Sequence, residues 1–388
     1  MKLRFFGSDS LPLDEGLCVY ILSFLKPKER QNLTLVSKEW RSVIKTTEHT
    51  LALLPTMQRI PQLCDHRLPR IISKPLSGGM TNGTSLVELD VVNRKAKVET
   101  YKWALRIAGK GSSAFIKRQD EAHNAKQATD LCLNVDIDFF DEEDGLQLTR
   151  YLENSQPLNN ALLANPQVIQ AIGLTLKRLH QSDAFQNTID VFSRNTELLK
   201  KLIAGGQVVL PMDIDAIGGI MVKIESLFRQ YRIKMVPCHN DPTPSNFLWV
   251  ENAEIPSFSG LQAGLKLIDW EYSGNNDGLM DVVYFVSNAK YDEKQETLLL
   301  AAYFGDLNDA ILAWCAMYKP VVEWWITLWS WTQIANKTDV CELKAYQDLA
   351  QSCYEKTKVF LASEDFAWAI KFIEADTLDS SFNSNRPF

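Results

Sequence analysis

The stretch VPCHNDPTPSNFLWV, residues 236–250, sets His239, Asp241 and Asn246 around Pro242 and Pro244, between apolar flanks. A segment of that kind is either a solvated surface turn or a place where chemistry happens. Asp241 is a carboxylate able to accept a proton, and Asn246 offers an amide oxygen to a hard cation. A second hard oxygen follows in LKLIDWEY: Asp269 stands at the end of a short apolar run, 23 residues beyond Asn246. Aspartate and asparagine oxygens suit magnesium, which keeps waters and substrate phosphates as its other ligands.

Positioning these groups falls to the flanking elements. The N-terminal segment carries short helical patterns broken at Lys26-Pro27. Leu17, Tyr20, Ile21, Phe24 and Leu25 recur at helical spacing before the break, and Leu33, Val36 and Trp40 after it. Pro55, Pro61 and Pro69 interrupt helix and predict a connector over 51–70. From 71 the texture changes. LSGGMTNGTSLVELDVV is a glycine turn between strand-like runs, and KVETYKWALRIAG alternates as a strand. Residues 112–131 read as a helix, with NVDIDFF and LQLTRYL as strands beyond it. Residues 158–235 and 278 to about 375 are mostly helical, with Pro320 starting the tryptophan-rich helix. The expected organisation is a helical module over 1–50, the connector, a β-rich lobe with one helix over 71–152, a helical lobe over 153–376 and a loose tail over 377–388.

Bulk properties narrow the function. Of 388 residues, 46% are apolar, enough for more than one core. The net charge of −7 argues against a general nucleic-acid binder or a basic membrane-surface protein. Seven scattered cysteines with no C-x-x-C pair read as reduced thiols, not as a disulfide framework or a zinc site. MKLRFFGSDS lacks a secretory apolar region, and no apolar run approaches a membrane span. A cytoplasmic location is expected.

The order H-x-D-x-x-x-x-N, followed by an acidic residue after a strand, is that of kinase catalytic loops. HNDPTPSNFL with LIDWEYSGNNDGLMDVVYF resembles the choline/ethanolamine kinases of the aminoglycoside-phosphotransferase-like group, especially the bacterial choline kinases that supply phosphocholine for surface glycans. The likeness runs from about 71 to 360 and takes in LSGGMTN, ALRIAGKG, IKRQDEAHNAK and LTRYLENSQPL in the same order. It implies an α+β, bilobal protein-kinase-like fold, with a β-rich N-lobe and a helical C-lobe, that uses ATP and Mg2+. Asp241 would be the catalytic base, Asn246 and Asp269 the magnesium ligands, and His239 scaffold, with Asp277 and Asp281 supporting the loop. Gly78, Gly79, Thr81 and Asn82 would cover the phosphates. Arg106 would contact them, oriented by an ion pair with Glu121, Lys102 being the rival cation. The backbone around Thr149 and Tyr151 would meet adenine.

The same likeness places Glu271 and Tyr272 beside an acceptor pocket. Choline's quaternary ammonium donates no hydrogen bond and is held by aromatic faces and carboxylates. In KPVVEWWITLWSWTQ, Trp325 and Trp329 share one helix face, while Trp324, Leu328 and Trp331 share another. The family has a tryptophan pair spaced three apart; here LW-S-x-x-Q aligns Trp329, but its partner position falls on Ile326, next to Trp325. The run therefore reads either as core aromatics or as the wall of a cation pocket. Choline, ethanolamine, thiamine, an aminoglycoside and a homoserine-like alcohol all stand as acceptors.

Residues 11–44 lie outside that likeness and resemble an F-box, with Leu11-Pro12 at the start, ILSFL in the middle and LVSKEWRSVI at the end. The resemblance implies docking onto the Skp-type adaptor of a cullin–RING ubiquitin ligase through Leu11, Pro12, Ile21, Leu22, Phe24 and Leu25. The alternative is a helical extension packed on the kinase. F-box adaptors belong to eukaryotic cells, so the pairing suggests an effector that a bacterium delivers into the host cytosol, or a eukaryotic gene with an acquired kinase. The kinase fold would then be an enzyme or, on the rival reading, a binding module that presents a target to the ligase.

Overall fold

Helices α1 (Glu15–Ser23), α2 (Pro27–Val36) and α3 (Lys38–Met57) open the computed structural model, which describes residues 15–36, 38–64, 71–76, 82–92, 97–109, 116–251, 264–336 and 340–378. Cys18, Val19 and Leu22 of α1 pack on Val43 and Leu51 of α3, with Leu25, Leu33 and Trp40 at the margin. The opposite stripe stays outside: Ile21, Phe24, Leu35 and Val36 are exposed, Phe24 by 71%. Leu22, expected to face a partner, is thus a core residue. It lies one turn beyond Cys18 and Val19 and shares their inward stripe. Leu11 and Pro12 lie outside the described residues.

The expected interruption at Pro55 also needs correction, because α3 runs through it. A helical proline costs a hydrogen bond and clashes with the residue four back. Here it falls in the last turn, and the helix ends two residues later. Met57, Ile60 and Leu63 then enter the core of a five-stranded antiparallel sheet. Its strands are β1 (Ile71–Pro75), β2 (Gly83–Val92), β3 (Val98–Ile107), β4 (Ile137–Phe140) and β5 (Gln147–Arg150), in the order β1-β2-β3-β5-β4. Period-two alternation turns Val87, Leu89, Trp103 and Leu105 to one face, with Leu146 and Leu148. Thr50 ties α3 to the sheet, its hydroxyl accepting the Ser73 N–H at 2.8 Å. These helices and this sheet form one compact unit, residues up to 113 together with 135–152.

The second unit takes residues 114–134 and everything from 153 onward. It claims α4 (Arg118–Asp130), the helix that the sequence groups with the β-rich lobe. Helices α5 (Asn160–Leu163), α6 (Pro166–His180), α7 (Val191–Gly205) and α8 (Ile214–Phe228) follow. Strands β6 (Ser155–Pro157), β8 (Phe247–Val250) and β9 (Leu265–Leu267) make a three-stranded sheet, and β7 (Met235–Cys238) pairs with β10 (Gly274–Asp277). Then come α9 (Gly278–Ala289), α10 (Glu293–Phe304), α11 (Asp309–Asn336), α12 (Val340–Leu361) and α13 (Glu364–Leu378). Most of α11 is buried, packed by α7, α9, α12 and α13. Pro320 does not start it but sits inside it. Ala316 loses its helical donor there, a cost offset by burying Trp314, Val321 and Trp324 around the irregularity. Among the described residues, no single helix is long and apolar enough to cross a membrane.

Candidate active site

Strand β7 delivers the chain to His239, and the first turn of α9 fastens it. Asp281 accepts the backbone N–H of His239 through one oxygen and that of Asn240 through the other, both at 2.7 Å. His180 reaches the same carboxylate at 3.2 Å and holds Tyr303 on its other nitrogen at 2.6 Å. Gly278 is needed beside this network, since a Cβ there would stand 2.8 Å from the His180 ring and from the Tyr303 hydroxyl. Asn240 turns into the left-handed region (φ 63°), which asparagine tolerates. Its amide donates to the carbonyls of Tyr272 (3.1 Å) and Gly274 (3.2 Å). His239 is fully buried, donates Nε2–H to the Ile268 carbonyl at 2.9 Å, and has its pKa lowered by that burial. Its contacts are those of a scaffold.

The register of β8 on β9 sets Phe247 opposite Leu267, and the Ile268 N–H reaches the Asn246 carbonyl at 2.8 Å. Asn246 and Asp269 therefore emerge at the same end of that pair, Asp269 also left-handed (φ 67°). Asn246 donates its amide to a carboxylate oxygen of Asp241 (3.0 Å) and to the Asp241 carbonyl (2.9 Å). The other Asp241 oxygen accepts from the Tyr284 hydroxyl at 2.8 Å. The Asp241 carboxyl is pushed up to about 7, first by burial and then by the charges of Asp269 and Glu271. The bonds from Tyr284 and Asn246 pull the other way. With the Asn246 amide nitrogen committed to Asp241, its oxygen is left for a cation. Mutual repulsion among these carboxylates is what a bound divalent ion relieves, and hard oxygens are what magnesium takes. Asn246 and Asp269 fit it.

Glu271 and Glu121 share one cation. Arg118, at the start of α4, stands 2.5 Å from Glu121 and 3.5 Å from Glu271, and all three are buried. Glu121 thus holds Arg118 across one turn of its own helix. Beyond Glu271, the Tyr272 hydroxyl accepts from Trp329 Nε1 at 2.9 Å. Trp325 lies on the same face of α11, and the Arg194 guanidinium lies over the Trp325 and Tyr272 rings. Trp324 and Trp331 turn the other way, onto Tyr354. The helical period read from the sequence splits the tryptophans in this same way.

In the first unit, Arg106 is buried on β3 opposite Thr84, and Lys102 lies 3.9 Å from Glu88. The Asn82 side chain accepts the Gly109 N–H at 3.4 Å. Thr149 sits within β5, and the Tyr151 N–H is taken by the Lys102 carbonyl at 3.1 Å. Gly78, Gly79 and Thr81 lie outside the described residues. Sequence reasoning misses Tyr284, Arg118, Arg194 and the part His180 plays. Tyr284 carried a usable signal, standing one helical turn after Asp281, and so did Arg118, three residues before Glu121; Arg194 and His180 carried none.

An antiparallel sheet, a helical body and an H-x-D-x4-N loop facing a second aspartate define a protein-kinase-like fold. Residues 73–381 match the choline/ethanolamine kinase family, and the chain belongs to it. Residues 9–51 match the F-box domain. Protein LicA of Haemophilus influenzae is 32% identical over 240 residues, 60% of this chain, and the match spans only 62% of that relative. A crystal structure of a choline/ethanolamine kinase family protein from Mesorhizobium loti aligns with TM-score 0.65 at 24% identity, covering 83% of this chain and 97% of the other. One of LicA in complex with AMP aligns with TM-score 0.56 at 21% identity, over 74% and 93%.

Proposed function

We propose that the chain is an ATP- and magnesium-dependent phosphotransferase whose acceptor is the hydroxyl of choline or a related amino alcohol. The observation that carries this is the Asp241 carboxylate, held from both sides by Tyr284 and Asn246 and coupled to Asp269. Fixed in that geometry, Asp241 orients the acceptor hydroxyl and takes its proton as the phosphoryl group transfers. Asn246 and Asp269 hold magnesium, which when bound neutralises charge on the transferring phosphates. Arg106 and the turn at Gly78, Gly79, Thr81 and Asn82 take the phosphates. The Tyr151 N–H is already spent on Lys102, so the segment of Thr149 and Tyr151 meets adenine through its carbonyl side. The AMP bound to a relative of the same fold supports a nucleotide donor. Glu271, Tyr272, Trp325 and Trp329 line the acceptor side.

An acceptor panel with the purified chain, MgATP and choline, ethanolamine, thiamine and an aminoglycoside tests this directly. Choline is expected to turn over fastest. Absence of turnover with every alcohol would sink the reading and favour a kinase fold that serves as a binding module.

The exposed Ile21, Phe24, Leu35 and Val36 support a second role, docking of a Skp-type adaptor of a cullin–RING ligase by the F-box. That role belongs in a eukaryotic cytosol, reached by delivery if the source is bacterial. Phe24→Glu with Leu35→Asp is expected to abolish co-purification with the adaptor while leaving the thermal midpoint within about 2 °C, since surface changes stay near 0.5 kcal/mol. A complex that survives both changes removes this surface from the interface.

A further inference from the structure

The aromatic group of Tyr272, Trp325 and Trp329 already contains a cation, and it comes from the chain itself. Arg194, on α7, sets its guanidinium carbon 4.8 Å from the centre of the Trp325 ring and 5.6 Å from that of Tyr272. Both are cation–π distances. The carboxylates of its own helix are committed elsewhere: Glu197 to Lys201 at 2.6 Å, and the N-capping Asp190 to Arg229. Burial lowers the pKa of the Arg194 guanidinium, with Tyr272 and the charge of Glu197 pulling the other way. The Trp325 and Tyr272 faces hold it at close range, with the Glu197 charge in the background.

The space left beside it is small. A cavity of about 10 Å³ is bounded by Arg194, Leu198, Trp325, Trp329, Thr332 and Gln333. That admits at most one water. A trimethylammonium group does not fit there while Arg194 stays in place. The side chain is only partly buried and flexible, and outward rotation brings it toward Glu197, one helical turn on.

Resting on the reading of the chain as an amino-alcohol kinase, we propose that Arg194 is a specificity-determining residue whose guanidinium occupies the acceptor's cation site and must leave before an amino alcohol can place its ammonium there. Acceptor affinity is then a difference between two cations for one set of rings. Such an exchange favours a weakly hydrated quaternary ammonium over a primary ammonium, which gives up more hydration to enter.

The test uses full-length Arg194→Ala, Arg194→Gln and Arg194→Lys beside the parent chain, each checked by thermal unfolding. The alanine and glutamine variants are expected to lower the KM for choline about tenfold, one to two cation–π contacts' worth. Lysine, keeping the charge, falls between them and the parent. Tetramethylammonium, measured by calorimetry without nucleotide, is expected to bind about tenfold more tightly to the alanine and glutamine variants. A choline KM and a tetramethylammonium Kd that stay level or rise in both neutral variants overturn the proposal, making Arg194 a clamp of α7 on α11 or a direct acceptor contact. If no chain, parent included, phosphorylates any amino alcohol, the kinase reading fails, and the calorimetric arm still decides whether Arg194 blocks the rings.

Discussion

Asp241→Asn is expected to lower phosphoryl transfer by about 10³-fold or more while leaving nucleotide binding in place. The asparagine keeps the size of the side chain and an oxygen for the Tyr284 hydroxyl, so the loop retains its shape, but it cannot accept the hydroxyl proton. Its amide also meets the Asn246 amide with the wrong polarity on one side. The carboxyl at about 7 fixes a second expectation. In a rate profile, turnover falls as pH drops through that region and the base protonates. Stability runs the other way: a carboxyl raised above its ordinary value stabilises the fold fully only below pH 4, and that contribution is lost between about 4 and 7. Asp241→Asn therefore gains on the order of 2–4 kcal/mol over the parent at pH 8, and nothing near pH 4, by urea unfolding in EDTA. A variant that turns over at the parental rate, or is destabilised at pH 8, shows that Asp241 is not a base of raised pKa.

What the sequence exposes and what it hides follow from the same physics. Asp241, Asn246 and Asp269 are legible because the proposed chemistry demands particular oxygens at particular separations, and the short strands β8 and β9 pair so that two of them emerge at one end. The tryptophan faces of α11 are legible because a helix repeats every 3.6 residues whatever surrounds it. Leu22 is not, because α1 is apolar on both stripes and α3 decides which one turns inward. Pro55 misleads because it falls in the last turn of its helix, and Pro320 because burial of α11 outweighs a local rule for helix termini. Tyr284 and Arg118 are legible only through their helical neighbours Asp281 and Glu121, and Arg194 reaches the rings by tertiary approach. No spacing relates Tyr284 to Asp241, 43 residues earlier, or Arg194 to Trp325. Arg194 also shows a limit of reading motifs residue by residue. A box of aromatic side chains predicts a bound cation, but not that the chain supplies one.

Asp281 carries the second large effect, although it touches no substrate. Its two oxygens accept the N–H groups of His239 and Asn240 and the ring of His180, all within the interior. Alanine orphans two buried backbone donors at once, each costing about 1–3 kcal/mol, and leaves His180 with one partner fewer. Asp281→Ala is therefore expected to lose about 3–5 kcal/mol in urea unfolding. Asp281→Asn keeps one accepting oxygen and gives up about half of that. The two backbone N–H groups are those of the residues just before Asp241, and one of them is left-handed. Releasing them lets Asn240 relax toward ordinary φ and swings Asp241, the proposed base, out of its place between Tyr284 and Asn246. Turnover in Asp281→Asn thus falls further than the KM for ATP rises, since displacing a base by about 1 Å costs on the order of 10²-fold in rate. The contrast with Asp241→Asn is the informative part: one change inactivates and stabilises at pH 8, the other inactivates and destabilises. If Asp281→Ala unfolds within 1 kcal/mol of the parent and keeps its rate, the loop is held by Asn240's side-chain bonds alone and Asp281 is dispensable to it.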